Sequence, residues 1–168
     1  MKIITYESVK SSISPAWEST LRDVLARADF RGDLLIEGAS EELINILDRW
    51  DGVESIEGAF YEYIDGTPGV GLFIPRAGQQ LKAYCHKSLP IAKYGCCLAG
   101  SVIAVEYAPQ SHVLSTQLHE SLHLFGVGEC YDPVTLKRIP ACDNEKCVMG
   151  YGVNSTEVCN HVLRQLRD

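Results

Sequence analysis

Leu118-His119-Glu120-Ser121-Leu122-His123-Leu124-Phe125-Gly126-Val127-Gly128-Glu129-Cys130 is the stretch that decides the reading of this chain. It holds two histidines four residues apart. On an α-helix that step turns about 400°, so His119 and His123 leave the same face one turn apart. Two neutral imidazoles placed this way can hold one metal ion. Glu120 follows the first histidine and can reach a water on that metal, as general base toward the water and then as proton donor to a leaving amine. Two histidines on an exposed helix surface would give the same five-residue pattern, so the surroundings have to be weighed. Leu114, Leu118, Leu122 and Phe125 form an apolar face on a helix expected over about 111–125. That leaves the histidines at its border, facing a cleft. Gly126 sits where glycine ends a helix and lets the chain leave sharply. Glu129 follows three residues later. It is either a third ligand or a solvated loop residue.

The rest of the chain sets the frame. Its 168 residues suit one domain with a single core, and 46% apolar with 22% charged residues is ordinary for a globular protein. The net charge of −7 argues against nucleic acid or an anionic membrane as the main partner. No apolar run reaches membrane-span length, and Met1 to Glu7 does not read as a secretory signal, so a cytoplasmic location is expected. The seven cysteines, an odd number, do not read as a disulfide framework. Strands are expected at 2–9, 34–36 and 101–107, and helices at 15–28, from Ser40 to Trp50, and from Asn154 or Ser155 to Leu166. Ser14 before Pro15, and Ser40, are the expected caps for the first two of these helices. Residues 54–75 read as a hairpin around Asp65-Gly66-Thr67-Pro68-Gly69, and 76–98 as a long irregular loop. The order predicts an α/β (α+β) mixed sheet with helices.

His119-Glu120-x-x-His123-x-x-Gly126-x-x-Glu129 resembles the extended zinc motif of the metzincin metallopeptidases. Met149, in Cys147-Val148-Met149-Gly150-Tyr151, is the candidate for their Met-turn. Within that group the chain is most similar to the archaemetzincins: Cys130 directly follows Glu129, and Cys142 to Met149 reproduces a Cys-x4-Cys-x-Met segment. The resemblance spans about 114–165. It implies a metzincin-like zincin fold: a mixed twisted sheet, an active-site helix and a small C-terminal subdomain carrying the Met-turn. The implied division is 1–126 above and 127–168 below. It also implies zinc-dependent peptide-bond hydrolysis and a peptide or protein substrate paired with an edge strand near 101–107. For Tyr151 two readings stand: a transition-state stabiliser beside the metal, as in some metzincins, or an exposed or packing tyrosine.

The chain departs from the family at the third ligand, where Glu129 replaces histidine. Two imidazoles and a carboxylate leave a zinc site at net +1 rather than +2, which weakens the metal as a Lewis acid. The same set admits iron, so a non-heme Fe(II) enzyme is a rival reading. A catalytically weak, peptide-binding zinc module is another. The family's C-terminal Cys-x-x-Cys is also absent, because its second cysteine would fall at Val162. Cys130, Cys142, Cys147 and Cys159 remain for a second, structural zinc, with His161 as an alternative ligand. Buried or loose thiols are the competing reading of that set. No role is read for Cys85, Cys96 and Cys97.

Overall fold

The computed structural model describes residues 1–6, 13–65, 67–75, 77–88, 94–105 and 110–167. In chain order the elements are β1 (Lys2–Thr5), α1 (Trp17–Arg27), β2 (Leu35–Gly38), α2 (Glu41–Arg49), α3 (Ile56–Ile64), β3 (Val70–Ile74), α4 (Gln79–Ser88), β4 (Gly95–Leu98), β5 (Val102–Val105), α5 (Val113–His123) and α6 (Asn160–Arg167). A three-residue 3-10 turn, Gln110–His112, leads into α5. The architecture is mixed α/β, as the sequence predicts. Among the described residues no helix is long and apolar enough to cross a membrane.

The chain forms two compact units: Met1–Ser12 with Gly32–Tyr107, and Ile13–Arg31 with Ala108–Asp168. This differs from a split after Gly126, because α1 and α5 group with the C-terminal residues. The first unit is built on a five-stranded sheet in the order β2-β1-β3-β5-β4. Four strands run parallel, with Ile3 opposite both Ile36 and Gly71, and Phe73 opposite Ile103. β4 is antiparallel, with Cys96 opposite Ala104. One apolar cluster gathers Ile4, Leu43, Phe60, Leu72, Ile74 and Val102, among others. Ser40 caps α2, accepting a hydrogen bond from Leu43 N at 3.3 Å.

Several expectations are corrected here. Residues 56–64 are a helix, not half of a hairpin. Ser55 caps it, accepting from Gly58 N at 3.2 Å, and Asp65 closes it in the left-handed region at φ 50°. The apolar step of four from Ile56 to Phe60, both buried, outweighs the strand preference of the aromatic residues around it. The stretch 76–98 is not an irregular loop, since it supplies α4 and β4. β4 takes the sheet margin, so β5 is not an edge strand and has no open side for a substrate strand. Cys85 on α4 and Cys96 on β4 are joined as a disulfide, which the cysteine count does not predict. The first strand ends at Thr5; the remainder of its expected span, from Glu7, lies outside the described residues.

In the second unit α1 packs on α5. Trp17 Nε1 donates to Ser121 Oγ at 2.8 Å, and both residues are buried. Phe30 meets Phe125 edge-on, with ring centroids 5.5 Å apart. α1 begins at Trp17 with no side-chain cap, because Ala16, not Ser14, stands at the cap position; Ser14 N donates instead to Gln117 Oε1 at 2.9 Å. The last helix starts at Asn160 rather than at 154 or 155. Glu157 O accepts from Val148 N at 2.7 Å, which holds residues before 160 extended. Asp143 Oδ1 then caps the helix by accepting from Asn160 N at 3.0 Å. Cys159 therefore precedes the helix instead of lying on it.

Candidate metal centres

The site is built from α5 and the two turns that follow it. Leu118 and Leu122 are wholly buried, which points the adjacent His119 and His123 to the border of that face. The helix ends in a Schellman motif: Val127 N donates to Leu122 O at 3.3 Å and Gly126 N to His123 O at 3.0 Å, with Gly126 at φ 77°. A side chain at 126 would be strained in that region. The turn returns Glu129 to the histidines. Its Oε2 lies 3.4 Å from His119 Nε2 and its Oε1 3.3 Å from His123 Nε2.

Both imidazoles are oriented from behind by main chain. His119 Nδ1 is 2.8 Å from Val148 O, and His123 Nδ1 is 2.7 Å from Val127 O. A carbonyl only accepts, so Nδ1 carries the proton on each ring, and in the neutral ring Nε2 is left with its lone pair. Two lone pairs and a carboxylate then face one another. Glu129 Oε2 is buried and has no hydrogen-bond donor. Such a constellation asks for a cation. In the protein without metal, protons take that part. Burial opposes charge on His119, but Glu129 and the nearby Glu120 reverse this and lift it from 6.5 to about 9. Burial likewise opposes charge on Glu129, yet the two imidazoles bring it from 4.5 down to about 2. Glu120 itself is buried, on α5 next to His119.

Cys147-Val148-Met149-Gly150 forms a tight turn, closed by Gly150 N donating to Cys147 O at 2.8 Å. Met149 is wholly buried. A Cβ on Gly150 would sit 2.8 Å from Val153 Cγ2 and 3.0 Å from Cys147 O, so only glycine fits there. Cys130 N donates to Met149 O at 2.9 Å, which ties the Glu129 segment to this turn. Tyr151 is 40% exposed and packs edge-on against Tyr131, with ring centroids 5.3 Å apart. Burial and the neighbouring Glu129 push the Tyr131 phenol upward, keeping it protonated.

Cys130, Cys142, Cys147 and Cys159 are all buried, and their sulfurs lie within 4.8 Å of one another. Cys130 Sγ is 3.6 Å from both Cys147 Sγ and Cys159 Sγ. Hydrogen bonding from Cys130 lowers the Cys147 thiol below its ordinary value, and the same contact drives Cys130 upward. The shift on Cys147 is toward the thiolate, the form that ligates metal. His161 takes no part in it. Its Nε2 lies 2.6 Å from Gln165 Nε2 instead.

Among the described residues these are the two groups with the chemistry and spacing to hold a metal ion. Sequence reasoning names all seven of their members. It misses the carbonyls of Val127 and Val148, which any residue could supply. It also misses Tyr131, two residues past Glu129, and Gln165, whose Oε1 accepts from Gly128 N at 2.7 Å. No family model matches the chain, and no curated protein matches it. Among solved structures it is similar to the archaemetzincin amzA of Methanopyrus kandleri, at 16% identity and a TM-score of 0.43, over 99% of this chain and 93% of that one.

Proposed function

We propose that the chain is a zinc-dependent metallopeptidase, with His119, His123 and Glu129 as ligands of the catalytic zinc and Glu120 as general base. One observation carries this reading: two Nε2 lone pairs and a carboxylate converge at 3.3–3.4 Å with a buried, donorless oxygen among them. A tetrahedral zinc with bonds of about 2.0–2.1 Å separates its ligand atoms by about 3.3–3.4 Å, and each imidazole stands at that distance from one oxygen of the Glu129 carboxylate. Zinc held there would supply a Lewis acid for the scissile carbonyl and acidity to a water. Glu120 takes the proton of the attacking water and passes it to the leaving nitrogen. Tyr151, with its exposed phenol, is the residue we assign to donate a hydrogen bond to the oxyanion. Val148 O and Val127 O hold the two rings in the ligating tautomer throughout.

The four cysteines we assign to a second, structural zinc. Sulfurs about 3.8 Å apart surround a tetrahedral zinc with bonds of about 2.3 Å, close to the 3.6 Å seen for two pairs. Met149 serves as the Met-turn, and the proposed compartment is the cytoplasm. Glu120→Gln tests the reading on protein carrying two zinc ions per chain. Turnover of a peptide library should fall by about 100-fold or more with metal content unchanged. Turnover that survives the substitution refutes the mechanism, and peptide capture without turnover in the wild type would make the chain a binding module. Glu129 favours a second reading, since a set of two histidines and one carboxylate also suits Fe(II). Iron in place of zinc after anaerobic purification would select it.

A further inference from the structure

We propose that Gln165 is the positioning residue of the His119–His123–Glu129 centre, an inference that rests on reading that centre as a metal site. Gln165 lies on α6, far from Glu129 in sequence. Its Oε1 accepts from Gly128 N at 2.7 Å, and its Nε2 lies 2.6 Å from His161 Nε2. An amide nitrogen cannot accept, so Nε2 donates and His161 Nε2 receives. One orientation of the amide thus satisfies both neighbours, which fixes the side chain at each end. The hydrogen bond falls on the residue immediately before Glu129.

The segment that returns Glu129 to the histidines is Gly126-Val127-Gly128-Glu129. Two of its first three residues are glycine, the residue with the most backbone freedom to lose; the Schellman bonds hold Gly126 and Val127, which leaves Gly128 to be fixed. A carboxylate that must meet two imidazoles within a few tenths of an ångström needs that freedom removed. On the far side, Cys130 N is pinned to Met149 O at 2.9 Å. On the near side, the tie on the residue next to Glu129 is Gly128 N to Gln165. Steric fit is not what binds the two, because a Cβ on Gly128 would meet Gln165 Oε1 at 3.7 Å, an ordinary contact. The hydrogen bond is the link. Partners bonded directly to a ligand typically change metal affinity 10–100-fold when lost, and Gln165, one residue removed from Glu129, is expected at the low end of that range.

The test compares Gln165→Met, which keeps length and loses both polar ends, with Gln165→Glu, which keeps the acceptor for Gly128. Zinc affinity of the histidine site is read by chelator competition with the cysteine site left filled. Gln165→Met should weaken zinc by about tenfold or more, and Gln165→Glu by less than about threefold. In a Glu129→Ala background Gln165→Met should add nothing, because there is no carboxylate left to place. Equal affinity in Gln165→Met and wild type overturns the proposal. So does an equal loss in both backgrounds, which would make the effect a general loosening. Zinc uptake unchanged by His119→Ala with His123→Ala would instead refute the metal reading. The Gly128 amide needs no variant: slow hydrogen exchange in the wild-type protein is expected, and exchange as fast as an open loop overturns the proposal.

Discussion

The two units of this protein reach order by different means. The sheet unit has a continuous apolar cluster, with Phe60, Leu43, Leu72 and Ile74 wholly buried. Residues 127–167 of the other unit contain one helix and two isolated backbone bridges, Tyr131 with Arg138 and Cys147 with Glu157. Their order comes from main-chain hydrogen bonds around four buried cysteines and from α6. A region built on apolar area keeps its fold whatever ion is present. A region whose centre is four thiols stakes its fold on one if, as proposed, those thiols hold zinc. The candidate catalytic residues draw on the second kind, since Val148, which orients His119, lies one residue from Cys147.

That contrast can be broken by substitution. Cys147→Ser should have the largest effect: hydrogen-exchange protection lost over 127–167 while the sheet amides keep theirs. Structural zinc contributes about 10–16 kcal/mol in small zinc domains, so no single apolar truncation should match it. Undiminished protection would mean that the thiols are only packed. Phe60→Ala is the converse. It should cost about 3–5 kcal/mol in denaturant unfolding of the sheet unit and leave bound zinc unchanged.

A pH series on chelated protein comes next in size. His119 has its pKa raised from 6.5 to about 9, so its contribution is full below 6.5 and is lost as pH climbs through about 9. Glu129 has its pKa lowered from 4.5 to about 2, so its contribution is full above 4.5 and is lost as pH falls through about 2. The melting midpoint of the metal-free protein should therefore be highest between 4.5 and 6.5 and decline toward pH 9. Zinc should reverse the alkaline decline, because it binds the deprotonated ligands. A flat profile from pH 5 to 9 would refute the facing-charge account. Ser40→Ala should be the smallest change, about 1 kcal/mol for a lost N-cap, confined to the sheet unit in a thermal melt.

The legible parts of the sequence were those where a local pattern and its stop signal agree. α5 has its apolar face, its histidine pair and Gly126 at its end. α2 has Ser40 in front of acidic residues. α3 was unreadable by propensity because Tyr61, Tyr63 and Ile64 each favour strands. Only the Ile56–Phe60 step and the Ser55 cap mark the helix. α4 and β4 were lost for another reason: Cys85, Cys96 and Cys97 have no strong secondary preference, and their burial depends on the sheet. At the site, side chains with distinctive chemistry were visible and their supports were not. Gln165 looks like any helical glutamine until α6 is placed.

Val127 and Val148 carry a consequence of their own. What each gives to its histidine is a peptide oxygen, and every amino acid has one. The instruction that fixes the tautomers at this centre is therefore written in a part of the polymer that the genetic code does not spell. A saturation scan would score both positions by how they pack and would pass over what they do. The link would show itself only when the oxygen is altered, as by a thioamide between 127 and 128 or between 148 and 149. By the same logic a change between apolar side chains that pack equally well in these two buried positions leaves the centre they orient in place.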